Sequence, residues 1–121
     1  MCLLIPVSLG ELIDKITILE IKMERISNPE ALKNIKKELD ALKLVKKPVV
    51  TLKLIDDLRD VNMEIWDVED ELREFERRKD FGVTFVIKAR SVYVLNDKRA
   101  SIKRKINTNS EFKEEKSYSV Y

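Results

Sequence analysis

Four polar side chains lie within or beside apolar stripes of the sequence, where they could act together as a binding site. They are Glu20, Glu69, Asn96 and Arg99. Carboxylates from facing helices can hold Mg²⁺ or Mn²⁺, and an arginine beside them suits a phosphate or a carboxylate. In the alternative interpretation the glutamates pair with lysines at a helix rim and Asn96 fixes the packing register. Either interpretation requires helices that bring these residues together.

Weaker candidates occur in the first and last helical segments, and they are Glu11, Asp14, Lys15, Arg90 and Asp97. In addition, Glu64 and Asp67 match the E-x-x-D element of all-α nucleoside triphosphate pyrophosphohydrolases, which hold Mg²⁺ with carboxylates from two helices. Glu11 and Asp14 could be the matching pair. E-x-x-D is common in glutamate-rich helices, and Glu64 and Asp67 lie opposite the heptad stripe, so this match is weak. A Mg²⁺- or Mn²⁺-dependent enzyme of this kind, with Glu20, Glu69, Asn96 and Arg99 as its site, is the alternative function.

The composition excludes most familiar catalytic chemistry. The 121 residues include no histidine and one cysteine, and the glycines are Gly10 and Gly82 alone. A Ser-His-Asp triad, a Cys-His dyad, a cysteine-based zinc site, a P-loop and a dinucleotide-binding glycine loop are therefore all impossible. We assign no catalytic residue and no metal ligand, and we expect no cofactor outside the Mg²⁺ or Mn²⁺ alternative.

The charge balance argues against a nucleic-acid partner. The chain has 24 basic and 22 acidic residues, and the basic residues of the last helix surround it rather than forming a stripe. The apolar opening, residues 1–7, is far shorter than the ~20 residues of a membrane span. We therefore expect a cytoplasmic protein with no membrane association.

Helix signals divide the first half of the chain in two. Ser8 and Glu11 form a capping box before an apolar stripe. That stripe consists of Leu9, Leu12, Ile16, Leu19, Met23 and Ile26. Asn28 is suited to the N-cap of a second helix and Pro29 to its first helical position. Residues 46–48 should end that helix.

The second half has the strongest pattern, a heptad stripe without a polar interruption. Its members are Leu54, Leu58, Val61, Ile65, Val68, Leu72 and Phe75. Thr51 could cap this helix, residues 80–82 should form a turn, and a fourth helix should span residues 83–107. The sequence predicts an all-α fold: a long antiparallel helical hairpin in a coiled-coil-like bundle of about four helices. Residues 1–107 would form a single domain, and residues 108–121 a flexible polar tail.

Some apolar residues lie off these stripes, notably Ile18 and Ile21 in the first helix and Val83, Ile87 and Val94 in the fourth. Such residues indicate either helices buried on two sides or a second contact surface. Together with the missing catalytic residue types, they favour a homodimer. The function we expect is non-enzymatic: an interaction or oligomerisation module that also binds an unidentified protein.

The segment Pro6–Lys22 resembles the opening signature of a family of small proteins of unknown function, found in bacteria and in tailed phages of marine cyanobacteria. The likeness continues in short motifs, which are Trp66, residues 69–70, 89–90, 92–93 and 96–97, and Arg99. It covers residues 5–107, apart from the second helix. The resemblance implies one small helical domain and a bacterial or phage source, hence the bacterial host cytoplasm, but no reaction. Because the signature includes polar residues, it also favours a polar site.

Overall fold

A computed structural model describes residues 2–109, which form four α-helices and a closing 3₁₀ turn. The helices are α1 (Leu9–Arg25), α2 (Pro29–Lys43), α3 (Leu52–Arg77) and α4 (Val83–Ile106), and the turn is Asn107–Asn109. No strand occurs between residues 2 and 109, so the predicted all-α bundle is confirmed. The predicted tail, residues 108–121, lies outside the described residues except for Thr108 and Asn109.

Side-chain caps start the first two helices where the sequence predicts. Ser8 Oγ accepts a hydrogen bond from the backbone N–H of Glu11 at 3.0 Å. Asn28 Oδ1 accepts from the N–H groups of Glu30 and Ala31, at 3.0 and 3.1 Å, with Pro29 in the first turn. These bonds satisfy amide groups that have no partner inside the helix. Thr51 occupies the N-cap position of α3 but makes no side-chain capping bond.

The longest helices, α3 and α4, form the antiparallel hairpin. The turn between them differs from the prediction in one respect: its left-handed residue is Lys79, with φ of 55°, before the predicted residues 80–82. The backbone N–H of Asp80 donates to the carbonyl of Phe75 at 3.0 Å, and the N–H of Lys79 to that of Glu76 at 3.1 Å. This is the Schellman motif, with lysine where glycine is usual.

The first helix packs on two sides. One cluster joins it to α3 and α4, and its buried members are Ile13, Leu58, Val61, Ile102 and Ile106. A second cluster joins it to α2 through Leu12, Ile16, Leu19 and Leu39. Ile21, off the predicted stripe, is only 2% exposed. Of the two off-stripe residues of α1, Ile21 is therefore part of a second buried face, whereas Ile18 is partly exposed.

The hairpin extends past the end of α1. Arg25, the last residue of α1, forms an ion pair with Asp67 of α3. The end of α1 therefore lies near Asp67 along the α3 axis. Residues 68–77 of α3 add roughly 15 Å beyond this level, at 1.5 Å per residue. Toward the hairpin end α3 and α4 pack mainly against each other among the described residues. Burial along the heptad stripe falls from complete at Leu58 and Val61 to partial at Phe75. None of the helices described is long and apolar enough to cross a membrane.

Candidate functional site

The most deeply buried carboxylate, that of Asp14, lies where α1 crosses α4. Its side chain is 2% exposed, and it forms a bidentate ion pair with the guanidinium of Arg99. Arg99 Nε donates to Asp14 Oδ1 at 2.9 Å, and Nη2 donates to Oδ2. The fork of an arginine matches the two carboxylate oxygens in this geometry. The pair joins residues 85 positions apart in the sequence and fixes the register of the two helices.

Two neutral residues complete the hydrogen bonds around this carboxylate. Asn62 of α3 donates from Nδ2 to Asp14 Oδ1 at 2.9 Å and to Thr17 Oγ1 at 3.0 Å. The Thr17 hydroxyl donates to the backbone carbonyl of Asp14 at 2.8 Å. Among the residues described, every buried side-chain polar atom has a hydrogen-bond partner. The cluster therefore meets the condition under which a buried charge is tolerated.

A second ion pair lies one helical turn further along. Lys103 is 8% exposed, and its Nζ is 2.6 Å from Glu11 Oε2 and 3.9 Å from Asp14 Oδ2. The Glu11 carboxylate thus contacts a cation of α4, while the Glu11 backbone takes part in the helix cap. With Asp14–Arg99, this gives two carboxylates and two cations along the α1–α4 contact, so its formal charges balance.

The two helices approach closely at Gly10, the second residue of α1. Its backbone N–H donates to Asn107 Oδ1 at 2.6 Å, and Asn107 is fully buried. A Cβ atom at Gly10 would lie 2.7 Å from the backbone oxygen of Lys103 and 2.9 Å from Asn107 Oδ1. Both distances are shorter than van der Waals contact. The glycine is therefore required by the helix–helix approach.

The structure brings together only part of the predicted polar cluster. Asn96 Oδ1 accepts from Arg99 Nη1 at 3.3 Å, so these two residues do meet. Glu20 instead lies between Arg59, at 2.8 Å, and Lys43, at 3.7 Å. Glu69 is 3.9 Å from Arg73, with its side chain 47% exposed. The two glutamates are thus rim residues paired with cations. Asp14, a weaker candidate, instead lies at the centre of the buried cluster with Arg99 and Asn62.

The remaining weaker candidates are dispersed. Lys15 forms an exposed ion pair with Glu38 of α2 at 3.5 Å. Arg90 is exposed near the hairpin end, and its Nε donates to Tyr93 Oη at 3.3 Å. That hydrogen bond raises the pKa of the Arg90 guanidinium above its usual range. Asp97, also on α4, is half-buried.

No group of three or more His, Cys, Asp or Glu side chains within residues 2–109 is placed to hold a metal ion. The carboxylates of the two E-x-x-D elements are largely engaged with cations. Asp14 binds Arg99, Glu11 binds Lys103 and Asp67 binds Arg25. Glu64 is exposed. Neither E-x-x-D element is part of a group of three or more such side chains placed to hold a metal ion among the described residues.

A cleft lies beside the buried cluster, between α1, α3 and Arg99 of α4. Its volume is about 390 Å³, and it is lined by Ile18, Ile21, Lys22, Asn62, Ile65, Trp66, Glu69, Arg73 and Arg99. A second depression, of about 320 Å³, is reached past Ile18, Lys22 and Arg99, which line both spaces. Trp66 is the one tryptophan of the sequence. The cleft combines an apolar floor with cationic side chains, an arrangement typical of sites for small molecules.

Several residues of this region were not identified as site residues from the sequence. In the sequence, Lys103 is one of three consecutive basic residues with Arg104 and Lys105, and Asn62 is next to Val61 of the heptad stripe, so neither pattern marks a site. Gly10 offered one signal, because glycine is unfavourable in a helix unless a close approach requires it. Asn107 offered none, since its role depends on how α4 meets the start of α1.

By its fold and its site, the chain is a small four-helix protein organised around a buried, fully hydrogen-bonded ion pair. Residues 3–121 match the model of DUF6165, a family of unknown function, and the chain belongs to that family. The expectation of a family of unknown function is thus confirmed. The match includes the second helix, which the sequence resemblance left uncovered. No curated protein and no solved structure shows a significant match to the chain.

Proposed function

We propose that the protein is a non-enzymatic interaction module that forms a homodimer through the exposed face of α4 near the hairpin end. The observation that carries this proposal is an apolar strip on that helix. Val83 is 77% exposed, Ile87 61% and Val94 58%. These residues, with Val86, follow the spacing i, i+3, i+4, i+11, so they share one face of α4.

A shallow groove of about 800 Å³ runs along the same strip, and aromatic residues extend its apolar surface. Phe81 is 50% exposed and Tyr93 39%, and both line the groove. Together these two aromatic residues and the four strip residues form one exposed apolar patch. Such patches on a soluble domain commonly mark interaction sites.

A second copy of the chain is the occupant that the hairpin best fits. Elsewhere α1 packs against both α3 and α4, but among the described residues no third helix extends its packing as far along the hairpin as the turn at Lys79. A second hairpin packed against the first would supply two more helices and complete a local four-helix arrangement. The strip also presents the same uncharged surface from both copies, as a two-fold contact requires.

The charge on the strip supports a self-complementary contact. Arg90 is the only charged residue among those that line the groove, and its Nε already donates to Tyr93. An acidic partner would therefore find a single cation there, whereas an identical apolar strip would find a matching surface. The helix face from Val83 to Val94 is only about 18 Å long. It supplies less than the ~800 Å² per partner of a standard interface, so we expect a dimer that dissociates on dilution.

The non-enzymatic part of the proposal is supported by the state of the carboxylates. Those nearest the buried cluster bind arginine or lysine, and cations already compensate their charge. Cys2 is exposed, and its free thiol suits the reducing cytoplasm. We extend the proposal to a cytoplasmic setting in a bacterium or a phage-infected bacterium, a source that rests on the resemblance of Pro6–Lys22 alone.

Light scattering during size-exclusion chromatography tests the dimer. At high micromolar loading we expect a mass of about 28 kDa, twice the chain mass of 14.2 kDa, which falls toward the monomer value on dilution. Ile87→Glu places a charge in the strip and should leave a monomer at every concentration. The matched control is Val49→Glu, a loop residue that is 98% exposed, and it should dimerise like the wild type. A wild-type mass of 14.2 kDa throughout, or equal effects of the two variants, would contradict the proposal.

A further inference from the structure

The cleft beside Trp66 contains a cation, Lys22, that forms no ion pair with the described part of the chain. Lys22 is half-buried and lines both the cleft and the adjoining depression. No carboxylate oxygen within residues 2–109 lies within 4.0 Å of its Nζ. The other two cations of the cleft differ, because Arg99 binds Asp14 and Arg73 binds Asp70 at 2.7 Å. Lys22 therefore supplies the charge that remains for a ligand.

The floor of the cleft is apolar and aromatic. Ile18 and Ile21 of α1 and Ile65 of α3 lie along it, next to the Trp66 ring. Its volume of about 390 Å³ falls within the range of ligand pockets, ~300–1,000 Å³. A small molecule in this space would place an apolar body against isoleucine and tryptophan, with its polar end at the opening between Lys22 and Arg99.

The carboxylate of Glu69 limits the charge of such a ligand. It lines the cleft from the α3 side, with Arg73 3.9 Å away. A polyanion would meet this carboxylate as well as Lys22, whereas a single negative group can reach the lysine alone. Attraction to Lys22 in a partly enclosed space is stronger than at an open surface, because less water screens it.

We propose that this cleft binds a small amphiphilic monoanion, a carboxylate carried on an apolar or aromatic body, with Lys22 holding the carboxylate and Trp66 contacting the body. The site is separate from the α4 strip proposed for dimer formation. Either proposal can therefore fail without the other.

Trp66 provides a direct reporter, because a single tryptophan gives a single indole N–H signal in an ¹⁵N correlation spectrum. The probes are 3-phenylpropionate, which has both the charge and the ring, acetate, which has the charge alone, and 3-phenylpropanol, which has the ring alone. We expect a saturable shift of the indole signal with 3-phenylpropionate and a response at least about tenfold weaker with either partial probe. A phosphate ester of the same body, 3-phenylpropyl phosphate, should bind more weakly than the carboxylate, because its second charge faces Glu69.

The variant Lys22→Gln should weaken 3-phenylpropionate binding about tenfold, as expected for loss of one charge-assisted hydrogen bond. Lys22 makes no ion pair with any residue between 2 and 109, so the variant should unfold at the wild-type temperature. Lys98→Gln removes the same charge from an exposed position of α4 and should bind like the wild type. A shift that does not saturate, equal binding of 3-phenylpropanol and 3-phenylpropionate, or equal weakening by the two variants would overturn the proposal.

Discussion

Asp14 and Arg99 form the ion pair with the most deeply buried carboxylate of the described chain. The Asp14 side chain is 2% exposed, and its carboxylate accepts three hydrogen bonds, two from Arg99 and one from Asn62. A buried pair of this kind adds little net stability compared with an apolar pair, but removal of one partner leaves the other charge uncompensated. Its main effect is therefore on specificity, since only one register of α1 on α4 satisfies both groups.

We expect Asp14→Asn to lower the free energy of unfolding by about 3 kcal/mol, because the neutral amide leaves the Arg99 charge unbalanced and cannot accept both of its donors. Urea denaturation followed by circular dichroism measures the change. The control is Asp40→Asn in the exposed Lys36–Asp40 pair, 2.7 Å long with side chains 63% and 56% exposed. That change should cost less than about 1 kcal/mol. Equal losses for the two variants would show that Asp14 is not part of a buried network.

At the scale of the helix, α1 shows which part of the fold the sequence pattern could reveal. The stripe through Leu12, Ile16 and Leu19 was visible, and in the structure it faces α2. The face that meets α3 and α4 was not visible, because it mixes Ile13 and Ile21 with polar and small residues. Those residues are Gly10, Asp14 and Thr17, and all three are buried. A hydrophobic periodicity cannot identify a face that is stabilised partly by an ion pair and hydrogen bonds.

The same reasoning explains why the sequence could not place the residues of the predicted polar cluster relative to one another. On a helical wheel Glu20 lies beside the predicted stripe of α1, whereas Asp14 lies on the opposite side of the helix, so the hydrophobic pattern favours Glu20 as the inward-facing residue. The observed arrangement follows instead from the crossing of α1 and α4, which places Asp14 opposite Arg99 and leaves Glu20 beside Arg59. Helix ends were easier to predict, because caps such as Ser8 and Asn28 act within a few residues.

The approach of α1 to α4 gives a prediction at this scale. Gly10→Ala should lower the free energy of unfolding by about 2 kcal/mol, within the usual cost of overpacking, although alanine favours helix formation elsewhere. The reason is that the new Cβ atom would lie 2.7 Å from the backbone oxygen of Lys103, which cannot move without displacing α4. Thermal unfolding measures this loss.

Gly82→Ala is the matched control for that experiment. A Cβ atom at Gly82 meets only Asp80 Oδ1, at 3.4 Å, and its φ of −75° suits any residue. We therefore expect no loss of stability at Gly82. A tolerated alanine at position 10 would mean that the two helices lie further apart than described.

At the scale of the whole molecule, the four helices are held unequally. α1 packs against α2, α3 and α4, and α3 packs along α4, whereas α2 packs chiefly against α1. Leu39 is the only buried residue of α2, while Leu58 and Val61 of α3 are completely buried. Because local opening is easiest where few apolar contacts must break, α2 should be the first helix to separate from the rest.

Native-state hydrogen exchange tests this hierarchy residue by residue. We expect the amides of α2 to exchange through local opening, with protection lower than in α1, α3 and α4, whose slowest amides should exchange only by global unfolding. Leu39→Ala should increase exchange in α2 and leave the slowest amides of α3 and α4 nearly unchanged, since it removes contacts only between α1 and α2. Leu58→Ala, at the centre of the other cluster, should lower protection in every helix and cost about 3 kcal/mol of global stability. Equal protection of α2 and α3, or a global effect of Leu39→Ala, would mean that the four helices unfold as one unit and that α2 is not an independently opening element.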